Sequence, residues 1–225
     1  MSSVRGRPGF RACILDFDGV IVDSEPLHAQ AKRLSLERFG IEFPSSLLDD
    51  FKGRTDVDFF DHVVTHVAPP SARRGPLMAE KDDRYLELFA TVPLMPGFEA
   101  FLEFARRRFD RIGIATSATR RDFGLAADRF DLARRVDVIV TGEDTALHKP
   151  DPAPYLEALA RLGVAPDEAL VIEDSPNGVR SARAAGTYVV AMTTAFAPGE
   201  LSAAGAHKLA PGFDELSRAL LRDAP

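Results

Sequence analysis

Residues 12–22 read ACILDFDGVIV, an unbroken apolar run that stops at Asp16-Phe17-Asp18-Gly19 and then resumes. A continuous apolar run, as opposed to alternating apolar and polar residues, marks a strand buried on both faces. Such strands belong to parallel sheets with helices on either side. The reading predicts a buried strand over Ala12–Phe17 with two acids at its carboxyl end. Side chains two apart on an extended backbone share a face, so Asp16 and Asp18 point the same way if the strand continues. Gly19 lets the chain turn off at once and leaves both carboxylates accessible.

Four further apolar runs have the same character: Ile112–Thr116, Val136–Val140, Leu170–Ile172 and Tyr188–Met192. Helical spacing fills the gaps between them. Phe98, Phe101, Leu102, Ala105 and Phe109 form one such face, and Tyr155, Leu156, Leu159 and Leu162 another. Asp151-Pro152 and Ser175-Pro176 read as a helix cap followed by a first-turn proline, and Gly163 and Gly186 stand where helices stop. Strands alternating with helices predict βαβ units, hence an α/β fold of Rossmann-like type: a parallel sheet core in three αβα layers.

One interval breaks this rhythm. Between Val22 and Val92 there is no strand pattern, only helical spacing such as Leu27, Ala31 and Leu34, or Val57, Phe60 and Val64. That length exceeds a single crossover, and it predicts an inserted helical cap over 22–92. The core then comprises 1–21 and 93–225, with Leu94-Met95-Pro96-Gly97 marking the return to it.

Composition narrows the classes of function. The 225 residues are 45% hydrophobic and 28% charged, as in a soluble globular chain and unlike a disordered one. A net charge of −6 argues against a nucleic-acid partner. No apolar run reaches the roughly 18–20 residues a membrane span needs, and the start MSSVRGRPGF lacks a secretory apolar stretch. A cytoplasmic monomer without membrane association is therefore expected. The single cysteine, Cys13, excludes an internal disulfide and a cysteine-based zinc site.

Ligands of open parallel sheets gather beyond the carboxyl ends of the strands, so the residues following each run carry the chemistry. They are Asp16 and Asp18, then Thr116 and Ser117, then His148-Lys149-Pro150, then Glu173-Asp174-Ser175-Pro176-Asn177-Gly178. Four carboxylates, the hydroxyls of Thr116 and Ser117 and a lysine thus converge on one sheet edge. Hard carboxylate oxygens suit Mg²⁺, which also coordinates substrate phosphate. Hydroxyl, ammonium and backbone N–H groups suit the remaining phosphoryl oxygens. A carboxylate can be the nucleophile that forms an acyl phosphate, and a second carboxylate can protonate the leaving group and then activate water.

Four motifs in order, ILDFDGVIVDSEPLH, IGIATSA, HKPDP and VIEDSPNG, resemble the haloacid dehalogenase superfamily. The resemblance is to its helical-cap branch, which includes β-phosphoglucomutase, phosphoglycolate phosphatase and sugar-phosphate phosphatases, and it runs from about Arg11 to Leu221. It implies Asp16 as nucleophile and Mg²⁺ ligand, and Asp18 as general acid/base whose backbone carbonyl also reaches the metal. It further implies Thr116 and Lys149 as holders of the phosphoryl group, assisted by the backbone at Gly19, Ser117 and Ala118. Glu173 and Asp174 complete the metal set, and Asn177 is a substrate-side contact. In the cap, the resemblance points to His28 and to Lys52 and Arg54 of FKGRT as substrate contacts. Lys81, four residues before Tyr85, reads as a charge on a helix face.

The expected activity is Mg²⁺-dependent hydrolysis of a small phosphate monoester, a phosphorylated metabolite such as a sugar phosphate, through an aspartyl-phosphate on Asp16. The alternative is a β-phosphoglucomutase-like mutase, whose cap motif KGxSR carries a distal arginine where this chain has Asp56. A receiver-like phospho-acceptor shares the acidic pair, threonine and lysine, but it lacks the Asp-x-Asp pair and the long insertion. A dehalogenase lacks the second aspartate.

Overall fold

The computed structural model describes residues 9–44, 46–51 and 55–222. The chain divides into two compact units, with boundaries between Val22 and Asp23 and between Pro93 and Leu94. After β1 (Ala12–Leu15) come α1 (Glu25–Arg38), α2 (Ser46–Asp50), α3 (Asp56–His66) and α4 (Arg74–Phe89). There follow α5 (Phe98–Arg108), β2 (Arg111–Ala115), α6 (Arg120–Arg129), α7 (Leu132–Arg135), β3 (Val138–Val140) and α8 (Ala153–Leu162). The chain closes with β4 (Ala169–Glu173), α9 (Pro176–Ala184), β5 (Tyr188–Met192), α10 (Pro198–Ala203), β6 (Lys208–Ala210) and α11 (Phe213–Arg222). Among the described residues no helix is long and apolar enough to cross a membrane.

The first unit is a Rossmann-like α/β core. Its six strands run parallel in the order β3-β2-β1-β4-β5-β6. Sequence order reverses direction at β1, which pairs with β2 on one side and β4 on the other, and this is where such sheets open a binding crevice. All four residues of β1 are fully buried, because helices cover both faces. Its register places Leu15 beside Ile114 and Ile172, so the acids that follow β1 and β4 emerge at one level. Behind the sheet, Tyr155, Ala158, Leu159 and Leu162 of α8 pack with Ile14, Val140 and Val171. On α5 the predicted face Phe98, Phe101, Leu102 and Ala105 is buried, with Phe101 stacked on Phe213 at 4.6 Å.

Several details depart from the sequence reading. β1 ends at Leu15 rather than Phe17, because the turn begins as soon as Asp16 has made its last ladder bond. β6 has no counterpart among the apolar runs: KLA is a three-residue edge strand, half-buried at its first two positions. Leu156 is 45% exposed, and Ala158 takes its place on the buried face. Ser175 caps α9 by accepting from Gly178 N–H at 3.0 Å, as expected. Asp151 instead lies one residue ahead of the α8 cap and accepts from Ala153 N–H at 2.9 Å.

The second unit, 23–93, is helical and has its own core of Leu36, Ile41, Leu47, Phe51, Phe59, Phe60, Val63 and Leu77. Its buried faces keep Ala31 and Phe60 of the predicted ones but are rotated about them. Val57 is 43% exposed while Phe59 and Val63 are buried, and α1 buries Ala31, Lys32, Ser35 and Leu36. Polar residues can occupy that face because each is satisfied. The Ser35 hydroxyl donates to Leu77 O at 2.7 Å, and Lys32 pairs with Asp56 at 3.2 Å.

Candidate active site

The site begins where β1 runs out. Asp16 N–H donates to Ile172 O at 2.9 Å, the last bond of the β1–β4 ladder. Phe17 O then accepts from Ile21 N–H at 2.8 Å and Val22 N–H at 3.1 Å, which closes a tight turn around Asp18 and Gly19. Gly19 has φ +69°, and a Cβ there would sit 1.8 Å from Asp174 Oδ2, so the crevice admits only glycine. The Thr194 hydroxyl, from the loop after β5, donates to Gly19 O at 2.9 Å and anchors this turn. The residues after β5 obey the strand-end rule that found the other loops, and Thr194 was legible by it.

Lys149 lies at the centre of the arrangement. Its Nζ donates to Asp16 Oδ1 at 2.7 Å, Glu173 Oε1 at 2.7 Å and Ala115 O at 3.0 Å, which uses all three of its hydrogens. The loop that carries it from β3 is pinned by Asp144, whose Oδ2 accepts from Thr141 N–H at 2.7 Å and from the Thr141 hydroxyl at 2.6 Å. Despite the cost of burial, Thr141 and Arg161 hold Asp144 at a pKa of about 2. Glu173 is fully buried and accepts five hydrogen bonds. Lys149 and the Tyr155 hydroxyl reach Oε1, while Asp174 N–H, Ser175 N–H and the Ser175 hydroxyl reach Oε2. Helical spacing marks Tyr155 only as an apolar position, and nothing in that spacing distinguishes its hydroxyl from a phenyl edge.

Asp16, Glu173 and Asp174 form a buried triad whose carboxylate oxygens lie within 4.8 Å of one another. With Lys149 as their paired cation, full ionisation leaves this group two negative charges in excess. The consequence appears in the acidities. Burial, then Glu173, pushes Asp16 up to about 7, and burial with Glu173 and Asp16 raises Asp174 well above the carboxylate range. Glu173 resists its own burial because Lys149, Tyr155 and Ser175 N–H hold it below the usual value. Hard oxygen donors with an unbalanced charge of this size fit a divalent cation such as Mg²⁺.

Gly178 faces the triad from α9, and a Cβ there would lie 1.7 Å from Glu173 Oε1 and 1.9 Å from its Cδ. Gly178→Ala is therefore expected to push Glu173 off its donors, costing about 3 kcal/mol of stability and roughly tenfold in activity. Denaturant unfolding and steady-state rates check this; unchanged stability would mean that the carboxylate can move freely.

Of the other predicted residues, Thr116 is buried and its Oγ1 accepts from Ala118 N–H at 2.9 Å, so it shapes its own loop and does not cap α6. Thr119 does that, accepting from Asp122 N–H at 3.1 Å. Ser117 is exposed, and Ala118 O accepts from Gly142 N–H at 2.9 Å, which ties the β2 and β3 loops together. Asn177 is exposed on α9, with Oδ1 accepting from Arg180 at 3.1 Å.

In the 23–93 unit, His28 stacks on Tyr85 with ring centroids 4.1 Å apart. Lys81 is 3% exposed rather than a solvated helix charge, and it meets Asp56 at 2.6 Å. Lys52 and Arg54 lie outside the described residues. Burial, then Lys81 and Lys32, drive the His28 imidazole down to about 4 against the pull of Asp56. Between pH 4 and 6.5 the unfolded chain then binds the extra proton, so stability rises with pH across that window and falls on acidification. His28→Gln should remove this contribution, at most about 3 kcal/mol and less because the half-buried ring still meets water. Urea unfolding at pH 4.5 and 7 measures it, and an unaltered acid limb would assign the loss elsewhere.

The haloacid dehalogenase-like hydrolase family model matches residues 10–186. The "Phosphorylated carbohydrates phosphatase" of Thermotoga maritima is 30% identical over 175 residues, covering 78% of this chain and 81% of that protein. The "(DL)-glycerol-3-phosphatase 2" of Arabidopsis thaliana is 29% identical, covering 82% and 80%. Among solved structures, CbbY from Rhodobacter sphaeroides in complex with phosphate superposes with a TM-score of 0.68 at 26% identity, covering 92% of this chain and 96% of that one.

Proposed function

This chain belongs to the haloacid dehalogenase-like hydrolases, and on that premise we propose that it is a Mg²⁺-dependent phosphatase of small phosphate monoesters. The observation that carries the reading is Lys149 bridging Asp16 and Glu173 at 2.7 Å each, beside Asp174. Asp16 is the nucleophile: its carboxylate oxygen bonds to phosphorus as the phosphorus–oxygen bond of the ester breaks. Asp18 gives its proton to the departing alkoxide. It then takes a proton from water, whose oxygen attacks phosphorus, releasing inorganic phosphate and restoring the Asp16 carboxylate. The backbone after Thr116 donates to the phosphoryl oxygens and Lys149 places its positive charge beside them, where positioning and charge supply most of the acceleration. Asp16 and Asp174, with Glu173 beside them and the Asp18 carbonyl, would hold Mg²⁺, which when bound offsets charge on the transferring group.

Relatives whose names give phosphorylated carbohydrates and glycerol 3-phosphate as substrates support a sugar or polyol phosphate here. Residues 23–93 then serve as the cap that closes over the substrate and selects it. A mutase would need a cation for a second phosphate, and at the corresponding position Asp56 is instead engaged by Lys81 and Lys32. The test is steady hydrolysis of p-nitrophenyl phosphate and of a phosphate-ester panel, from glycolate to hexose phosphates, with Mg²⁺ and with chelator. Multiple turnovers that chelator abolishes are expected. A single phosphorylation event, or turnover only with a sugar bisphosphate activator, would overturn the reading.

A further inference from the structure

Tyr155 has no part in the steps above, and its surroundings give it one. It is fully buried on α8, where its ring fills the face packed against Ile14, Val140 and Val171. Phenylalanine would fill that space equally well, so packing does not explain the hydroxyl. A buried hydroxyl is costly unless bonded, and this one donates to Glu173 Oε1 at 2.7 Å. That same oxygen accepts from Lys149 Nζ at 2.7 Å, and Nζ also lies 5.0 Å from the Tyr155 ring centroid. Tyr155 therefore touches the ammonium twice, once through its ring face and once through a shared carboxylate oxygen. Backbone and Ser175 donors fix only the other oxygen, Oε2.

We propose that Tyr155 is a positioning residue, holding Glu173 Oε1 and Lys149 Nζ aligned on Asp16 Oδ1 so that the ammonium is in place before phosphoryl transfer. The proposal rests on the reading of Asp16 as nucleophile. Its effect belongs to the chemical step, because Tyr155 is fully buried and meets Glu173 and Lys149 beside Asp16. Loss of the hydroxyl leaves Oε1 with Lys149 as its only remaining hydrogen-bond donor of the two, and the carboxylate can rotate about its Oε2 anchors.

Tyr155→Phe keeps the ring and removes only the hydroxyl. Its kcat for p-nitrophenyl phosphate with Mg²⁺ is expected to fall roughly tenfold, with KM within about twofold. Glu173→Gln should lower kcat as well. In the Glu173→Gln background, removing the hydroxyl should cost no more than about twofold, since both changes act on one linkage. Leu159→Val, a packing change on the same helix, is the control and should lower the melting midpoint while leaving kcat as in the wild type. Each protein is assayed well below its own midpoint, so that partial unfolding does not enter the rates. An undiminished kcat in Tyr155→Phe, or losses that multiply in the double variant, would overturn the proposal. A wild-type protein inactive towards phosphate esters would instead sink the phosphatase reading, and the two failures are distinguishable.

Discussion

Asp16→Asn is expected to abolish turnover, by roughly 10⁴-fold or more, while leaving a folded protein that is more stable without metal. Asparagine keeps the size of the side chain and an oxygen for Lys149 Nζ, which stands 2.7 Å from Oδ1 in the native site. It lacks the negative charge required to attack phosphorus, and no neighbour can replace it. Glu173 has both oxygens engaged, and Asp174 is a separate branch of the triad. The stability change has the opposite sign to the activity change because Asp16 is one of three buried carboxylates facing one ammonium. Burial and Glu173 raise its pKa to about 7, so the cost of ionising it in the folded state builds up as pH rises from the ordinary carboxylate range and is complete above pH 7. The variant should thus melt higher than the wild type in chelator at pH 8, and it should gain less from added Mg²⁺. Paired measurements of kcat and melting midpoint decide the matter. A variant within tenfold of wild-type activity would remove Asp16 from the covalent step.

Lys149→Met should damage both properties together. The Lys149 side chain is 6% exposed, and its ammonium neutralises Asp16 and Glu173 at once, each at 2.7 Å. Methionine matches its bulk but strands two carboxylates in the interior, a loss of about 3–5 kcal/mol at neutral pH without metal. It also removes the positive charge beside the transferring phosphoryl group, and kcat should fall about 10²–10³-fold. The stability deficit depends on pH in a defined direction. Glu173 is held below the ordinary carboxylate range, so its contribution is present above that range and disappears as pH falls through its folded value. The gap between variant and wild type should therefore be wide at pH 8 and narrow only below the ordinary glutamate range, towards about pH 3. Guanidinium unfolding in chelator at both pH values measures it. A gap that widens with acid would show that Lys149 is not the counter-ion of these carboxylates.

The two variants separate the roles that one bridge combines. Removing the nucleophile's charge relieves the interior and stops the chemistry, whereas removing the counter-charge strains the interior and slows the chemistry. Mg²⁺ should mask part of the second defect, because a divalent ion at the same oxygens supplies the missing positive charge.

Much of this was written in the local sequence. The strand before Asp16 is apolar at every position, and only a strand covered on both faces tolerates that. Once β1, β2 and β4 were recognised, their following residues had to share an edge, so Asp16, Thr116, Glu173 and Asp174 could be named together. Lys149 follows β3 by a long loop, and its place depended on the HKPDP motif rather than on spacing. Less legible were features set by contact. β6 is too short and too exposed to carry a pattern, and it exists because β5 offers it an edge. In 23–93 the buried face of α1 includes Lys32 and Ser35, which no apolar periodicity selects, since their burial depends on Asp56 and Leu77 from other helices.

The sequence alone determined which residues end the strands, because apolar continuity and glycine placement are properties of neighbours along the chain. Only the tertiary structure decided how their charges balance: that one ammonium is shared by two carboxylates, and that a tyrosine hydroxyl completes the set. The reason is physical. Hydrogen bonds and acidities at this site depend on distances of under 3 Å between residues as far apart in sequence as Asp16 and Lys149, and those distances arise when the sheet closes.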